Sequence, residues 1–508
     1  MSPWTDSIEY MFDDSIPGPD GLSSASDAAL AAAVTGWARA SAAAEARKLA
    51  VIAELVRRHC AEDERRHWAC DGWDATAAEV SCALAVGHGR ALGQMELALT
   101  LRDRLPKVGQ RFMCGEIPLR TINTIAWRTA LVKDELALAR LDSELAERAA
   151  KWGSLSDHKL EKAIDVWVDQ IDPGAIRRTR NNIRGRAFTV GDRDDATGTT
   201  SVFGRLTASD GALLDERLDA MIHGVCQDDP RTLAQRRADS IGALAAGTTH
   251  LMCRCGDPGC PAAVDDGRAS SVVVHVVGER SSLNEPADPL LNGEGLAAEN
   301  PEPAAAPPRG KAALILSARG AVLPAPLLAD LISNGAKVRF VGAPQACHEE
   351  RYRPSVALAE FVRTRDLTCR FPGCDRPAIV ADIDHTLAWP TGPTHPANLK
   401  CYCRKHHLVK TFWDGWTDRQ QPDGTVLITA PTGHTYTTKP LSALLFPTWN
   451  TLTPPSPSRP AVASDKTSRQ LMMPRRRRTR SQAHEYRINA ERALNDQTLA
   501  ERAQPPPF

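Results

Sequence analysis

Residues 369–407 read CRFPGCDRPAIVADIDHTLAWPTGPTHPANLKCYCRKHH, and the spacing of ligands in this stretch decides how the C-terminal third folds. Cys369 and Cys374 form one close pair, Cys403 and His406 another, with twenty-eight residues between the pairs. Thiolates and imidazole suit a tetrahedral zinc ion, and the wide loop lets that ion clamp two distant segments. Cys401, two residues before Cys403, is a competing ligand. Inside the loop, Ile379 to Asp384 alternates as a strand and delivers Asp384 and His385 at its end. A loop with Pro390, Gly392, Pro393 and Pro396 then leads to Asn398, and Arg404 to Phe412 reads as a helix.

Adjacent residues on a helix point about 100° apart, so His406 and His407 are expected to serve different centres. His406, three residues after Cys403, belongs with the zinc ligands, which leaves His407 to face Asp384. One carboxylate and one imidazole holding a magnesium, manganese or other divalent ion, with positions open for water and phosphate, suit phosphodiester hydrolysis. In that scheme His385 is the general base, because its proton affinity lies near neutrality. The Asn398 amide braces the loop or ligates the metal. Arg404 and Lys410 are candidate phosphate contacts from the same helix.

These residues resemble the HNH endonuclease signature: Cys369-x4-Cys374, Asp384-His385, Asn398-Leu399, and Cys403-Arg404-Lys405-His406-His407-x2-Lys410. The resemblance implies a small α+β module of ββα-metal, treble-clef-like fold, stapled by structural zinc. It also implies that the first His, here His385, is the base and the last, here His407, a metal ligand with Asp384. The chain as a whole resembles actinobacterial, especially mycobacterial, repeat-family proteins, in which a domain of unknown function 222 precedes an HNH endonuclease. Asn398 to Trp413 and Pro422-Asp423-Gly424 through Thr432-Gly433-His434-Thr435-Tyr436 carry that likeness. The expected activity is metal-dependent DNA cleavage. The competing reading is a catalytically idle, zinc-stabilised DNA-binding protein of a mobile or repeated element.

The remaining sequence frames this module. A chain of 508 residues predicts several domains, and 42% hydrophobic with 24% charged residues is an ordinary globular balance. The N-terminus shows no basic region before an apolar run, and Arg39 interrupts the Ala-rich stretch 28–38, so neither a signal peptide nor a membrane span is expected. Thirteen cysteines, several in close pairs, point to metal ligation in a reducing compartment, with the cytoplasm as the expected location.

The formal net charge of zero hides an asymmetry. Residues 351–419 carry eleven Lys/Arg against seven Asp/Glu, and 451–508 carry eleven against five. The first 350 residues are therefore acidic and the back basic, the pattern expected of a chain whose C-terminal part meets a polyanion. On that basis Arg475, Arg476, Arg477 and Arg478 are candidate DNA-backbone contacts, and the acidic front is a candidate restraint on the basic module. No small-molecule cofactor is expected.

Residues 1–25 read as a disordered leader, and 26–345 as a mainly helical domain with a few strands. Within that domain Thr76 and Glu79 suggest a capping box. The segments 187–190 and 201–204 suggest a hairpin, 271–277 and 311–317 are apolar runs able to pair, and 278–310 is a Pro-rich linker or insertion between them. His250, Cys253, Cys255 and Cys260 form a possible second zinc site, with His348 a distant further ligand. The nuclease-like domain spans 346–440 with a hairpin at 423–439, and 441–508 reads as a Pro- and Arg-rich disordered tail.

Overall fold

A computed structural model describes residues 19–60, 64–152, 155–176, 187–191, 199–267, 276–284, 312–316, 322–333, 336–342, 348–455 and 473–503. The fold is mainly helical with a few small sheets. Its residues divide into two compact units, one of 1–179, 408–414 and 465–508, the other of 180–407 and 415–464. Among the described residues, no helix is long and apolar enough to cross a membrane.

The first unit is a helical assembly whose long opening helix, Asp27–Cys60, buries Ala42, Ala46, Leu49, Ala53 and Val56 along one stripe. Steps of three and four residues keep these side chains on one face. They join Met95, Leu105, Phe112, Ile122, Ile125, Leu141, Leu145, Ile164 and Val168 from later helices in one continuous core. The helix Gly72–Leu84 is capped by Asp71, which accepts from Asp74 N. This corrects the capping box expected at Thr76 and Glu79: Thr76 lies inside the helix and its hydroxyl donates to Gly72 O.

The chain's last helix, Arg480–Ala503, also belongs to this unit. Arg492 pairs with Asp172 at 2.7 Å, and the buried Asn495 amide donates to Gly174 O and Ile176 O. The segment 441–508, expected to lack order, therefore contains this helix and a short one at Leu441–Leu445. Part of the Pro-rich run, 456–472, lies outside the described residues.

In the second unit, β1 (Ala187–Val190) and β2 (Val202–Arg205) form the expected antiparallel pair, with Ala187 opposite Arg205. The two apolar runs also meet: β3 (Val276–Val277) pairs antiparallel with β4 (Ala313–Ile315), which pairs with β5 (Val322–Leu323). The expected linker 278–310 falls mostly outside the described residues, apart from a 3-10 turn at Arg280–Asn284. Of the leader, only the 3-10 turn Pro19–Ser24 is described.

The C-terminal part of this unit starts with the helix Val356–Asp366, capped by Ser355. A two-stranded antiparallel sheet of β6 (Asp382–His385) and β7 (Leu399–Tyr402) follows, then the helix Arg404–Phe412, of which residues 404–407 belong to this unit. β8 (Thr417–Gln420), β9 (Val426–Thr429) and β10 (Thr435–Thr438) make a three-stranded meander where one hairpin was expected. The two turn dipeptides explain the extra strand, since Gly424 at φ +80° separates β8 from β9 and Gly433 at φ +83° separates β9 from β10.

Candidate metal centre and the polar site beside it

Leu358, Phe361 and Val362 of the helix Val356–Asp366 pack with Ala378, Ala381, Leu399 and Cys401, giving the sheet β6–β7 a small apolar floor. Cys401 is fully buried in that floor, which removes it as the competing ligand considered from sequence. Period-2 alternation puts it on the opposite face of β7 from its neighbours.

Asp366 ties the floor together. Its fully buried carboxylate accepts from Arg365 Nε at 2.8 Å, Arg370 Nη1 at 3.2 Å and the backbone N of Cys401 at 2.7 Å. Arg365 donates onward to Pro396 O and Leu399 O, and Arg370 to Gly424 O and Thr438 O. Burial opposes the Asp366 charge, but the two guanidinium groups outweigh it and hold the carboxyl below its usual range.

Beside this frame, one donor atom from each of Cys369, Cys374, Cys403 and His406 lies within 4.8 Å of the others. Cys369 N donates to Arg376 O and Cys374 N to Phe371 O, a tight turn that passes through Gly373 at φ +70°. His406 Nδ1 is 3.5 Å from Cys369 Sγ and 3.4 Å from Cys403 Sγ. A tetrahedron with metal–sulfur bonds of about 2.3 Å and metal–nitrogen bonds of about 2.1 Å has S···N edges of roughly 3.6 Å, so the donor set fits zinc. The Phe371 ring stacks on His406 at 4.0 Å and fixes its orientation.

The thiols divide their protons unevenly. Burial pushes Cys369 well above its ordinary value. Cys374 is favoured by its bond with Cys369, yet Cys403 and burial push it up to about 12. Hydrogen bonds from Cys369 and Cys374 hold Cys403 far down, as a thiolate. A bound cation would supply the positive charge that lets all three sulfurs be thiolates. The cluster can hold a metal ion such as zinc.

Asp384 and His385 end β6, as read from the sequence, with Asp384 opposite Lys400 and His385 opposite Leu399 in β7. His407 turns away from the thiols: its Nε2 is 3.4 Å from Asp384 and its Nδ1 2.8 Å from Asp382. Arg404 lies 3.3 Å from Asp382, and Lys410 sits in the last turn of the same helix. His385 Nε2 is 2.9 Å from Thr394 Oγ1, and its ring stacks on Tyr352 at 5.4 Å. The Thr394 hydroxyl proton goes to Arg351 O. Thr394 therefore accepts from His385 Nε2–H, and the basic lone pair of the imidazole lies on Nδ1.

Asn398 braces the intervening loop from both ends of its amide. Its Oδ1 accepts from Leu387 N at 2.8 Å, and its Nδ2 donates to Leu387 O at 3.0 Å and Pro393 O at 2.9 Å. A Cβ at Gly392 would stand 1.9 Å from Leu387 O, so this loop closes only with glycine there.

Sequence reasoning missed four polar partners in this site. Asp382 lies two residues before Asp384 and so shares its face of the strand, a signal the period-2 pattern carries. Lys400 and Asp418 carried no local signal: the Lys400 ammonium is buried between Asp384 at 3.2 Å and Asp418 at 2.8 Å, a relation set by strand pairing. Thr394 was one hydroxyl among several in a polar loop.

Other sequence candidates are placed differently. Arg476 is committed within the first unit, at 2.9 Å from Asp71 and 2.6 Å from Asp74, so it is not presented to a polyanion as expected. Arg478 covers the Tyr486 ring at 4.5 Å, Arg475 bridges Trp68, and Arg477 is exposed. In the second cluster Cys226 replaces His250, whose Nε2 bonds Asp265 O at 3.0 Å. His348 is exposed and joins neither cluster.

A sequence profile described as a domain of unknown function (DUF222) matches residues 37–366, ending just before Cys369. The uncharacterized protein Rv2100 of Mycobacterium tuberculosis (strain ATCC 25618 / H37Rv) is 54% identical over 99% of this chain and 94% of its own length. The uncharacterized protein Rv3776 of the same strain is 52% identical over 98% of this chain and 95% of its own. A third M. tuberculosis relative, the uncharacterized protein in est 3'region, is 50% identical over 69% of this chain and all of its own length. No solved structure matches. The profile covers more than half of the chain and the relatives extend across the metal cluster, so this protein belongs to the DUF222 family.

Proposed function

We propose that the region around Cys369–Phe412 is an HNH-type nuclease module that hydrolyses DNA phosphodiester bonds. The observation that carries this reading is the 2.9 Å contact between His385 Nε2 and Thr394 Oγ1, whose hydroxyl proton is taken by Arg351 O. Held by Thr394 through Nε2–H, His385 keeps its proton-accepting Nδ1 at the end of the strand that also supplies Asp384 to His407.

The chain's own residues divide the work. His385 Nδ1 takes the proton from the attacking water, and Thr394 steadies the imidazolium that results. Asn398 fixes the loop that carries Thr394, so the base does not drift with the loop. Asp384 Oδ1 and His407 Nε2, 3.4 Å apart, are the oxygen-and-nitrogen pair that would hold a hard divalent ion, and Asp382 orients His407 through its other ring nitrogen. When bound, magnesium, manganese or a similar ion would offset charge on the phosphate and the departing oxygen. The Cys3His cluster holds the helix bearing His407 against the strands.

One observation favours the second reading, an idle DNA-binding module. Lys400 already neutralises Asp384 from within the fold, which weakens its hold on a cation. A single experiment separates the two. Purified protein is incubated with supercoiled DNA, with and without added divalent metal, beside His385→Ala of verified fold and zinc content. Cleavage by the wild type alone, dependent on metal, supports the nuclease. Equal cleavage by both proteins removes it, and binding without cleavage by either leaves the idle module.

A further inference from the structure

We propose that Cys226, Cys253, Cys255 and Cys260 bind a second zinc ion, a closed four-thiolate site that staples the DUF222 part of the chain independently of the Cys369 cluster. The sulfur atoms of all four lie within 4.8 Å of one another, and Cys226 Sγ is 3.4 Å from Cys253 Sγ. Zinc–sulfur bonds of about 2.3 Å give tetrahedral S···S edges of roughly 3.8 Å, whereas a disulfide needs about 2.05 Å. The four thiols lie close enough together for one tetrahedral thiophilic ion to take a bond from each. Every corner is a thiol, so no position is left for water or substrate, the mark of a structural rather than a hydrolytic site.

The two arms of the site are built separately and then locked. Cys226 follows the end of the helix Ala208–Ile222, while the other three come from a single loop. That loop turns through Gly256 at φ +80°, and its ends are closed by Cys253 N to Ala262 O and Cys260 N to Asp257 O. Asp229, fully buried, joins the arms: it accepts from Arg231 Nη2 at 2.7 Å and from the backbone N of Arg254 at 2.9 Å. Arg231 in turn donates to Met252 O, just before Cys253.

The surrounding core explains why a staple is needed. Among the described residues, Met221, Val225, Ala243, Leu251 and Cys253 are buried together here, with a few partly buried neighbours, under the helices Ala208–Ile222 and Leu233–Ala245. So few buried side chains hold a helix pair and a long loop weakly, and metal binding supplies folding free energy where a small core does not.

The test uses the full chain purified without added metal and analysed by inductively coupled plasma mass spectrometry. Two zinc ions per chain are expected. Cys226→Ala with Cys255→Ala should retain one, Cys374→Ala should lose the other one instead, and Cys226→His, which keeps a ligand, should retain both. A readout independent of any variant is native alkylation with peptide mapping. Cys255 and Cys260 are partly exposed, so they should resist labelling until a strong chelator is added. One zinc per chain in the wild type, two in the double variant, iron in place of the second zinc, or immediate labelling of Cys255 and Cys260 would each overturn the proposal.

Discussion

The Lys400 ammonium lies 3.2 Å from the Asp384 carboxylate, fully buried, on the strand directly opposite. Asp418 approaches from β8 at 2.8 Å, so one cation is shared by two carboxylates, and these charges raise its proton affinity above the ordinary lysine value despite burial. Lys400→Met should therefore cost about 3–5 kcal/mol in urea unfolding, because both acids lose their partner. A loss below about 1 kcal/mol would mean that the acids find other partners.

Asp366 gives the pH dependence a definite sign. Its carboxyl is held below the usual value by Arg365 and Arg370 against the cost of burial, so its contribution is present above the unfolded value of about 3.9. It is lost as pH falls through the lower folded value. Asp366→Asn should destabilise by about 3–5 kcal/mol at pH 7, with the gap to wild type closing only below about pH 4. Thermal unfolding from pH 7 to pH 3 measures this directly.

Thr394→Val removes the acceptor that fixes the His385 tautomer while keeping its shape. If the nuclease reading holds, cleavage should fall about tenfold, less than the roughly 10²–10⁴ lost in His385→Ala, and the pH–rate profile should shift. Thr394→Ser should restore both. An unchanged profile in Thr394→Val would separate the threonine from the base.

Arg476→Ala leaves the almost fully buried Asp71 and Asp74 with Arg480 as their remaining arginine, at 3.3 and 3.1 Å, and with His88 at 3.2 Å from Asp74. Faster hydrogen exchange is expected in the helix Arg480–Ala503, with a stability loss of about 1–3 kcal/mol. If the proposed DNA binding holds, its salt dependence should stay unchanged in Arg476→Ala. A shallower slope would show that this guanidinium reaches phosphate after all.

Much of the local structure was legible because it depends on residues near in sequence. The stripe Ala42 to Val56 makes a helix face by its own three- and four-residue spacing, and Val276–Val277 with Ala313–Ile315 paired as two apolar runs should. Cys374 and His406 were assigned from close spacing, and the structure places their donor atoms together. Two of the failures share a cause. Arg476 looked like part of a solvated basic run, but its acidic partners lie about four hundred residues earlier. The expectation of His250 as a ligand took the nearest imidazole, whereas Cys226 reaches the cluster from a separate helix.

By itself the sequence determined that two cysteine clusters and an Asp-His strand end would exist, because close ligand pairs, turn glycines and strand periodicity act over a few residues. Tertiary structure alone decided that Cys226 completes the second cluster, that Cys401 faces the core, and that Lys400 is shared by Asp384 and Asp418. The reason is physical: burial turns a distant charge or thiol into an obligatory partner, and only the folded chain fixes which one comes within reach.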